Sequence, residues 1–227
     1  MTSKTEKSTG STRADQKKKT RRAIIDAVLR LSAAQGFSSV SLREVAREAG
    51  ISPNAFYSHF HDLEELRLSI IDEGGVTLRR VMREVRRHQG DPRSIVRIAV
   101  ETFLDYLQSN GDLFRLMIST RSGGSLEARR AVYKEINRFF EDLTEDIELA
   151  SQATGRKLSQ IPQVAHAVTT IVFNGAMALL DLPDTDPKKL AEELVQEIRL
   201  VTLGAEALAS GWRPERNRPQ QKTEGTL

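Results

Sequence analysis

The chain has 227 residues, of which 29% are charged and 39% are hydrophobic, values typical of a soluble protein with one or two domains. It contains no cysteine, which excludes a disulfide-stapled scaffold, a cysteine-ligated metal site and a cysteine nucleophile. The formal net charge is only +3, but eight basic and two acidic side chains fall within residues 1–22.

The first segment, residues 1–15, is rich in Ser, Thr and Lys and has no apolar periodicity, so we predict a disordered basic arm. Such arms often contact nucleic acid, although a solubilising tail has the same composition. Lys19, Arg21 and Arg22 follow the arm at the start of the first predicted helix, where we expect them to contact DNA phosphates.

Helical patterns fill the chain from about Asp15 to Trp212, and Gly, Asn and Pro interrupt them often enough to predict nine helices. No stretch alternates apolar and polar residues over the length of a strand, so the predicted fold is all-α. The most apolar segment, residues 165–182, also carries Thr, Asn and Asp and predicts a buried helix. The N-terminus has no apolar core of a secretion signal, so we expect a cytoplasmic protein without a membrane partner.

The strongest local pattern, Ser41–Phe60, predicts a helix-turn-helix. Ser41 and Ser52 are N-cap residues, and Gly50 can end the first of the two helices in the left-handed conformation. Pro53 stands at the first position of the second helix, where its missing N–H is not needed. An ordinary helical hairpin is the alternative, but the two caps, the turn and the preceding basic arm favour DNA binding.

Residues 20–66 resemble the DNA-binding domain of TetR-family transcriptional regulators, through SLREVAREAGIS and the YSHF stretch. Ser41–Arg83, Phe114–Gly123 and Thr170–Asp181 are similar to the branch that represses unsaturated fatty acid synthesis, the FabR and DesT type. The resemblance implies a homodimer on a palindromic operator, a long-chain acyl-CoA effector and no cofactor. Leu63 departs from the family pattern, which has a phosphate-binding Lys at this position in most members.

The resemblance divides the chain into a DNA-binding domain at residues 16–62, an effector-binding and dimerisation domain at 63–212 and a flexible tail at 213–227. Residues 52–60 contain no charged side chain other than histidine, so this helix cannot read guanine through Arg. We predict that Asn54 reads adenine, that Ala55 contacts a thymine methyl, and that Arg43 reaches bases or backbone. The full set of predicted DNA contacts is Lys19, Arg21, Arg22, Ser41, Arg43, Ser52, Asn54, Ala55, Tyr57, Ser58 and His59.

The helices after residue 62 have broad apolar faces rich in Phe and Met, a composition that suits a long apolar ligand but also a filled core. The acyl-CoA interpretation therefore comes from the resemblance, and Arg121 is its candidate contact to the CoA phosphates. The candidate effector-binding residues are Phe103, Tyr106, Leu107, Phe114, Met117, Arg121, Phe139, Phe140, Leu143, Ile171 and Asn174.

Two C-terminal helices predict a dimer interface, because their apolar residues recur at heptad-like spacing and include small residues. Packing of the same stripes within one chain is the alternative. The residues assigned to the interface are Val168, Gly175, Leu179, Leu194, Ile198, Val201 and Ala205.

Three other functions are compatible with parts of the sequence. A TetR-type repressor of an efflux pump that responds to lipophilic drugs would share the helix-turn-helix, and a DNA-compacting protein would need no effector. An enzyme acting on an acyl thioester is disfavoured, because the chain has no nucleophile elbow, no Gly-rich phosphate loop and no metal-ligand spacing among its four histidines. We therefore expect a repressor of unsaturated fatty acid synthesis or desaturase genes, with no catalytic residues and no metal.

Overall fold

The computed structural model describes residues 12–86, 92–182 and 184–213. Within these ranges it contains nine α-helices, one short 3-10 turn and no strand, as expected from the sequence. The helices are α1 (Arg13–Gln35), α2 (Leu42–Glu48), α3 (Pro53–Tyr57), α4 (Leu63–Arg86), α5 (Pro92–Ser109), α6 (Gly111–Gly123), α7 (Leu126–Thr154), α8 (Ile161–Asp181) and α9 (Pro187–Ala209). Most of the predicted arm, residues 1–11, and the predicted tail from residue 214 lie outside the described residues.

Helix α1 begins earlier than the disordered arm of residues 1–15 allowed. The Thr12 hydroxyl accepts a hydrogen bond from the Asp15 N–H, and the Asp15 carboxylate accepts one from the Thr12 N–H. These two bonds satisfy N–H groups that a helix start leaves without partners. The Thr12 hydroxyl also donates to the Asp15 carboxylate, and this bond, together with the one from the Thr12 N–H, lowers the pKa of the Asp15 carboxyl. Residues 13–15 are therefore helical, which corrects the predicted boundary of the arm.

The reading head consists of α1, α2, α3 and the first turns of α4, around one apolar cluster. Phe56 of α3 is completely buried in this cluster, together with Ile24 of α1, Val45 of α2 and Leu66 of α4. Replacing a buried phenylalanine by alanine lowers the free energy of unfolding by about 3–5 kcal/mol, so Phe56 fixes the orientation of α3. Leu63 also packs against this cluster.

The remaining helices form a bundle around a second apolar cluster, to which α4, α5, α6, α8 and α9 contribute buried residues. Helix α6 belongs to both parts of the molecule. Its Leu113 and Leu116 are buried in the core of the reading head, whereas Phe114, between them in sequence, is buried in the bundle core. A movement of α6 therefore displaces residues in both cores, because close-packed interiors transmit displacement.

Two consecutive glycines in the middle of α4 allow two other helices to approach it closely. A side chain on Gly74 would come within 2.8 Å of Leu113 Cδ2 on α6, and one on Gly75 would overlap the Glu135 carboxylate on α7. Glycine lowers the stability of a helix interior by about 1 kcal/mol relative to Ala, so this close approach is the structural reason for the pair.

Helix α8 is the one described helix that is long and apolar enough to cross a membrane by length and composition. Core helices of water-soluble proteins meet the same criterion, and α8 packs against α5, α7 and α9. Of its most apolar stretch 33% is fully buried, and Ile171, Phe173, Leu179 and Leu180 are partly buried against the bundle core.

Candidate nucleic-acid interface and bundle cavity

Helix α3 presents a polar outer face next to its buried Phe56. Asn54, Tyr57 and Ser58 are exposed on this face, while Ala55 is half-buried. The Asn54 amide forms no hydrogen bond with any residue that the structure describes, so both its donors and its acceptor are available to a base edge. The geometry thus keeps Asn54 as the candidate base reader and limits Ala55 to the edge of the interface.

The serine hydroxyls at the helix starts differ in what they can still offer to a phosphate. The Ser52 hydroxyl accepts a bond of 3.2 Å from the Ala55 N–H and keeps its own hydrogen free to donate. The Ser41 hydroxyl donates to the Glu44 carboxylate at 2.7 Å, and that of Ser58 donates to the Ala55 carbonyl at 2.7 Å. A hydroxyl has one hydrogen, so Ser52 is the better phosphate donor of the three.

His59 is a weaker phosphate contact than its position in the sequence indicates. Its ring is half-buried, and its Nδ1 is buried without a hydrogen-bond partner among the described residues. Burial lowers the pKa of His59 below the usual 6.5, and the nearby positive charges of Lys17 and Arg21 lower it further. The imidazole is therefore neutral at physiological pH and carries no charge towards DNA.

Arg21 is partly exposed and is engaged by side chains of its own chain, and its assignment as a phosphate contact stays a prediction. Its guanidinium donates to the Ser69 hydroxyl at 2.6 Å, forms an ion pair with Glu73 and lies 4.8 Å from the centre of the Phe60 ring. These contacts hold α1 against α4 and the end of α3. Arg22 is mostly exposed and pairs with Asp26 at 2.9 Å, a surface interaction that is weak enough to be exchanged for a phosphate.

The positive charge available to DNA comes from two other places. Lys17, Lys18 and Lys19 are exposed along the first turns of α1, and Lys17 is close enough to His59 to lower the pKa of that histidine. The N-terminal turns of α1 therefore lie beside the end of α3. On α2, Arg43 is exposed and has no ion-pair partner among the described residues. The proximity of Lys17 to α3 depends on how α1 packs, which the sequence does not specify.

The bundle contains a small cavity between α4, α6, α7 and α8. Its volume is about 20 Å³, room for about one water molecule. The wall is apolar except for the side chains of Arg79 and Glu135. The lining residues are Gly74, Gly75, Leu78, Arg79, Leu113, Phe114, Met117, Glu135, Ile136, Phe139 and Phe173.

Only part of the predicted effector set lines this cavity. Phe114, Met117 and Phe139 do, whereas Phe103 and Leu107 are 1% exposed and belong to the filled bundle core. The other predicted residues lie elsewhere: Tyr106 is half-buried against Phe114, Leu143 and Ile171 are partly buried on the bundle core, Phe140 packs against His166, and Arg121 and Asn174 are exposed. The apolar periodicity of the sequence does not distinguish residues that line the cavity from residues of the filled core. The consecutive glycines Gly74 and Gly75 of α4 are the sequence feature that indicates the cavity.

The predicted dimer stripe faces the interior of the same chain. Leu194, Ile198, Ala205 and Val168 are buried in the bundle core, and Leu179 and Val201 pack against that core. A methyl group on Gly175 would lie 2.7 Å from Leu194 Cδ2, so two residues assigned to the interface meet each other within one chain. The outward faces carry different residues: Leu200 and Leu203 of α9 are 70% and 45% exposed, and Thr170 and Asn174 of α8 are exposed.

Comparison with known proteins places both parts of the chain in one family. Residues 24–70 match the model of bacterial regulatory proteins of the tetR family, and residues 92–201 match the model of the tetracyclin repressor-like C-terminal domain. Together these matches cover well over half of the chain.

Solved structures share the fold at low sequence identity. The fatty acid degradation regulator FadR from Bacillus halodurans superimposes with a TM-score of 0.69 at 16% identity, over 79% of this chain and 94% of that one. A proposed fatty acid metabolism regulator from Clostridium perfringens gives a TM-score of 0.67 at 17% identity, over 78% and 96% of the two chains. PfmR, a TetR-family regulator from Thermus thermophilus, gives 0.64 at 20% identity, over 79% and 97%.

Proposed function

The chain belongs to the tetR family of bacterial regulatory proteins, which are DNA-binding transcriptional regulators and not enzymes, and on this basis we propose that it represses genes of unsaturated fatty acid synthesis. In this proposal a cytoplasmic homodimer binds a palindromic operator, and a long-chain acyl-CoA sets the strength of binding. The observation that carries the DNA-binding part is the unpaired Asn54 amide on the exposed face of a capped, firmly packed α3.

The proposed dimer uses the outward faces of α8 and α9. The exposed Leu200 and Leu203 of α9 provide apolar surface that folding of one chain does not cover, and the exposed residues of α8 include Thr170 and Asn174. Pairing these helices across a two-fold axis forms a four-helix bundle and places two reading heads on a two-fold symmetric operator. Tight binding to a palindrome follows, because both half-sites are then occupied by one molecule.

The proposed effector rests on three separate supports. The stretches Phe114–Gly123 and Thr170–Asp181 resemble the branch that represses unsaturated fatty acid synthesis. Two of the structural neighbours are named as regulators of fatty acid metabolism or degradation. Apart from Arg79 and Glu135, the cavity wall is apolar and rich in Phe and Leu, which suits a fatty acyl chain once the helices around it move apart.

The cavity and the reading head share residues, and this supports a mechanism for coupling. Leu113 and Met117 of α6 line the cavity and also pack against the core of the head. The head also rests on α4, whose Gly74 and Gly75 form another wall of the cavity. A ligand that enlarges the cavity displaces α4 and α6 and so changes the separation of the two heads, which alters DNA affinity by linkage.

The test is fluorescence anisotropy of the full chain on DNA from upstream of its own gene, titrated with palmitoyl-CoA and oleoyl-CoA. We expect the two ligands to change the DNA affinity by different factors, with at least one effect of about fivefold or more. The variant Asn54→Ala serves as the control for sequence-specific binding. Specific DNA binding that neither ligand changes would refute the acyl-CoA effector and leave the DNA-binding function in place.

A further inference from the structure

A buried ion pair forms the only polar part of the cavity wall that the structure describes. The Arg79 side chain on α4 is 13% exposed and that of Glu135 on α7 is 4% exposed, and the two are directly paired. Glu135 has a second cationic partner, because Arg138 donates to it at 2.6 Å. Arg138 is in turn 3.5 Å from Asp72 on α4. The result is a chain of alternating charges, Asp72, Arg138, Glu135 and Arg79, across the contact between α4 and α7.

The two members of the central pair are not equivalent. Glu135 stays paired with Arg138 when Arg79 is taken away, whereas Arg79 has Glu135 as its one partner among the described residues. A buried charge without a partner costs several kcal/mol. Any ligand that separates α4 from α7 must therefore supply a new anion to Arg79 or leave that guanidinium unpaired in an apolar wall.

We propose that Arg79 binds the anionic group of the effector and that Glu135 occupies the same position on Arg79 in the ligand-free protein. This inference rests on the proposed lipid effector and specifies its chemistry: an apolar chain in the cavity with a carboxylate or phosphate at the α4–α7 contact. The exchange replaces one anion by another at Arg79, so the number of buried ion pairs is kept. A neutral lipophilic molecule cannot make this exchange.

Gly75 explains why the exchange also signals to the reading head. The Glu135 carboxylate occupies the space that a side chain at Gly75 would fill, so the internal ion pair holds α7 against the middle of α4. When a ligand anion takes over Arg79, this contact is released. Helix α4 then moves relative to α7, and α4 continues into the core of the head through Leu66 and Ile70.

The test compares three probes with the same twelve-carbon chain: laurate, 1-dodecanol and lauroyl-CoA. Binding to the full-length protein is measured by titration calorimetry at pH 8, where laurate is ionised. We expect wild type to prefer laurate or lauroyl-CoA over dodecanol by about tenfold or more, the size of a charge-assisted hydrogen bond. If laurate shows the preference, the recognised group is a carboxylate; if lauroyl-CoA alone shows it, the group is a CoA phosphate.

Two variants of the same ion pair give opposite expected results. In Arg79→Gln the preference for the anionic probe falls to within about twofold of dodecanol. In Glu135→Gln, Arg79 loses its internal partner, so the anionic probe binds about threefold or more tightly than to wild type. A merely structural ion pair would weaken binding in both variants. Arg97→Gln, which removes an exposed α5 arginine from its pair with Glu101, is the matched control. It should change neither the affinity for the anionic probe nor that for dodecanol.

The outcomes separate this inference from the proposed function. Equal binding of laurate, lauroyl-CoA and dodecanol to wild type overturns the role of Arg79, while an acyl effect on DNA affinity would still support the lipid effector. A preference that survives in a folded Arg79→Gln protein overturns it as well. If no probe binds and lauroyl-CoA leaves DNA affinity unchanged, both the inference and the acyl-CoA effector are refuted.

Discussion

The Arg21 guanidinium on α1 pairs with the Glu73 carboxylate on α4 and so connects the reading head to the helix that continues into the bundle. Arg21→Gln removes this pair and the bond to Ser69. Because the pair is partly exposed, we expect the free energy of unfolding to fall by only about 1 kcal/mol. The salt dependence of DNA binding should stay as in wild type, which anisotropy at several salt concentrations measures. A flatter dependence would mean that Arg21 contacts a phosphate after all.

The lysines of α1 should behave in the opposite way. Replacing Lys17, Lys18 and Lys19 by Gln leaves α1 intact, because Gln and Lys have similar helix propensities. Each lost phosphate contact lowers the slope of log affinity against log salt by about one unit. We therefore expect a slope lower by roughly one to three units and little change in melting temperature. The substitution Lys188→Gln, at an exposed lysine of α9, is the control and should leave the slope unchanged.

Asn54 and Ser58 separate base reading from local structure on α3. Asn54→Ala removes an exposed amide without other partners, and we expect operator affinity to fall by about 1–3 kcal/mol. Ser58→Ala removes a hydroxyl that already donates to the Ala55 carbonyl, so DNA affinity should change by less than about twofold. Binding to single-base variants of the operator identifies the base that Asn54 reads. Equal losses in both variants would contradict this division.

Substitutions of exposed and buried leucines of α9 should have different effects on the dimer and on stability. Leu200→Glu and Leu203→Glu place charges on the outward face, so we expect a folded monomer by light scattering and weak operator binding. Leu194→Ala truncates a side chain that is 3% exposed, and it should lower the free energy of unfolding by about 2–5 kcal/mol. A dimer that survives both glutamates would place the interface elsewhere.

His59 gives the stability of the head a dependence on pH. Its pKa is lowered in the folded state, mainly by burial, so the unfolded chain takes up a proton at a higher pH than the folded protein. The contribution of neutral His59 to the free energy of unfolding is complete above pH 6.5, the ordinary pKa of histidine. It is lost as the pH falls through the lower folded-state pKa. We expect the melting temperature of wild type to decrease below about pH 6.5 more steeply than that of His59→Gln. Parallel curves would show that the pKa of His59 is the same in the folded and unfolded states.

Structural features that depend on residues within about one helical turn could be predicted from the sequence. The caps of α2 and α3 at Ser41 and Ser52 and the positive φ of 68° at Gly50 were predictable, because each involves neighbours three or four positions away. The family of the chain was visible in the same short stretch, where the motif is dense.

Which of several similar residues is buried, exposed or paired depends on how helices distant in sequence pack together. Helix α9 carries apolar residues on two faces, and only its packing against α5 and α8 turns Leu194 inward and leaves Leu200 exposed. Arg21 and Lys17 belong to one basic stretch, yet Arg21 forms an ion pair with Glu73 of α4 whereas Lys17 is exposed. Arg79 and Glu135 are separated by 56 positions, and their meeting depends on the close approach of α4 and α7 that Gly75 permits. The periodicity of a sequence indicates that a helix face is apolar or charged. It does not indicate which other helix packs against that face, because that helix is distant in sequence.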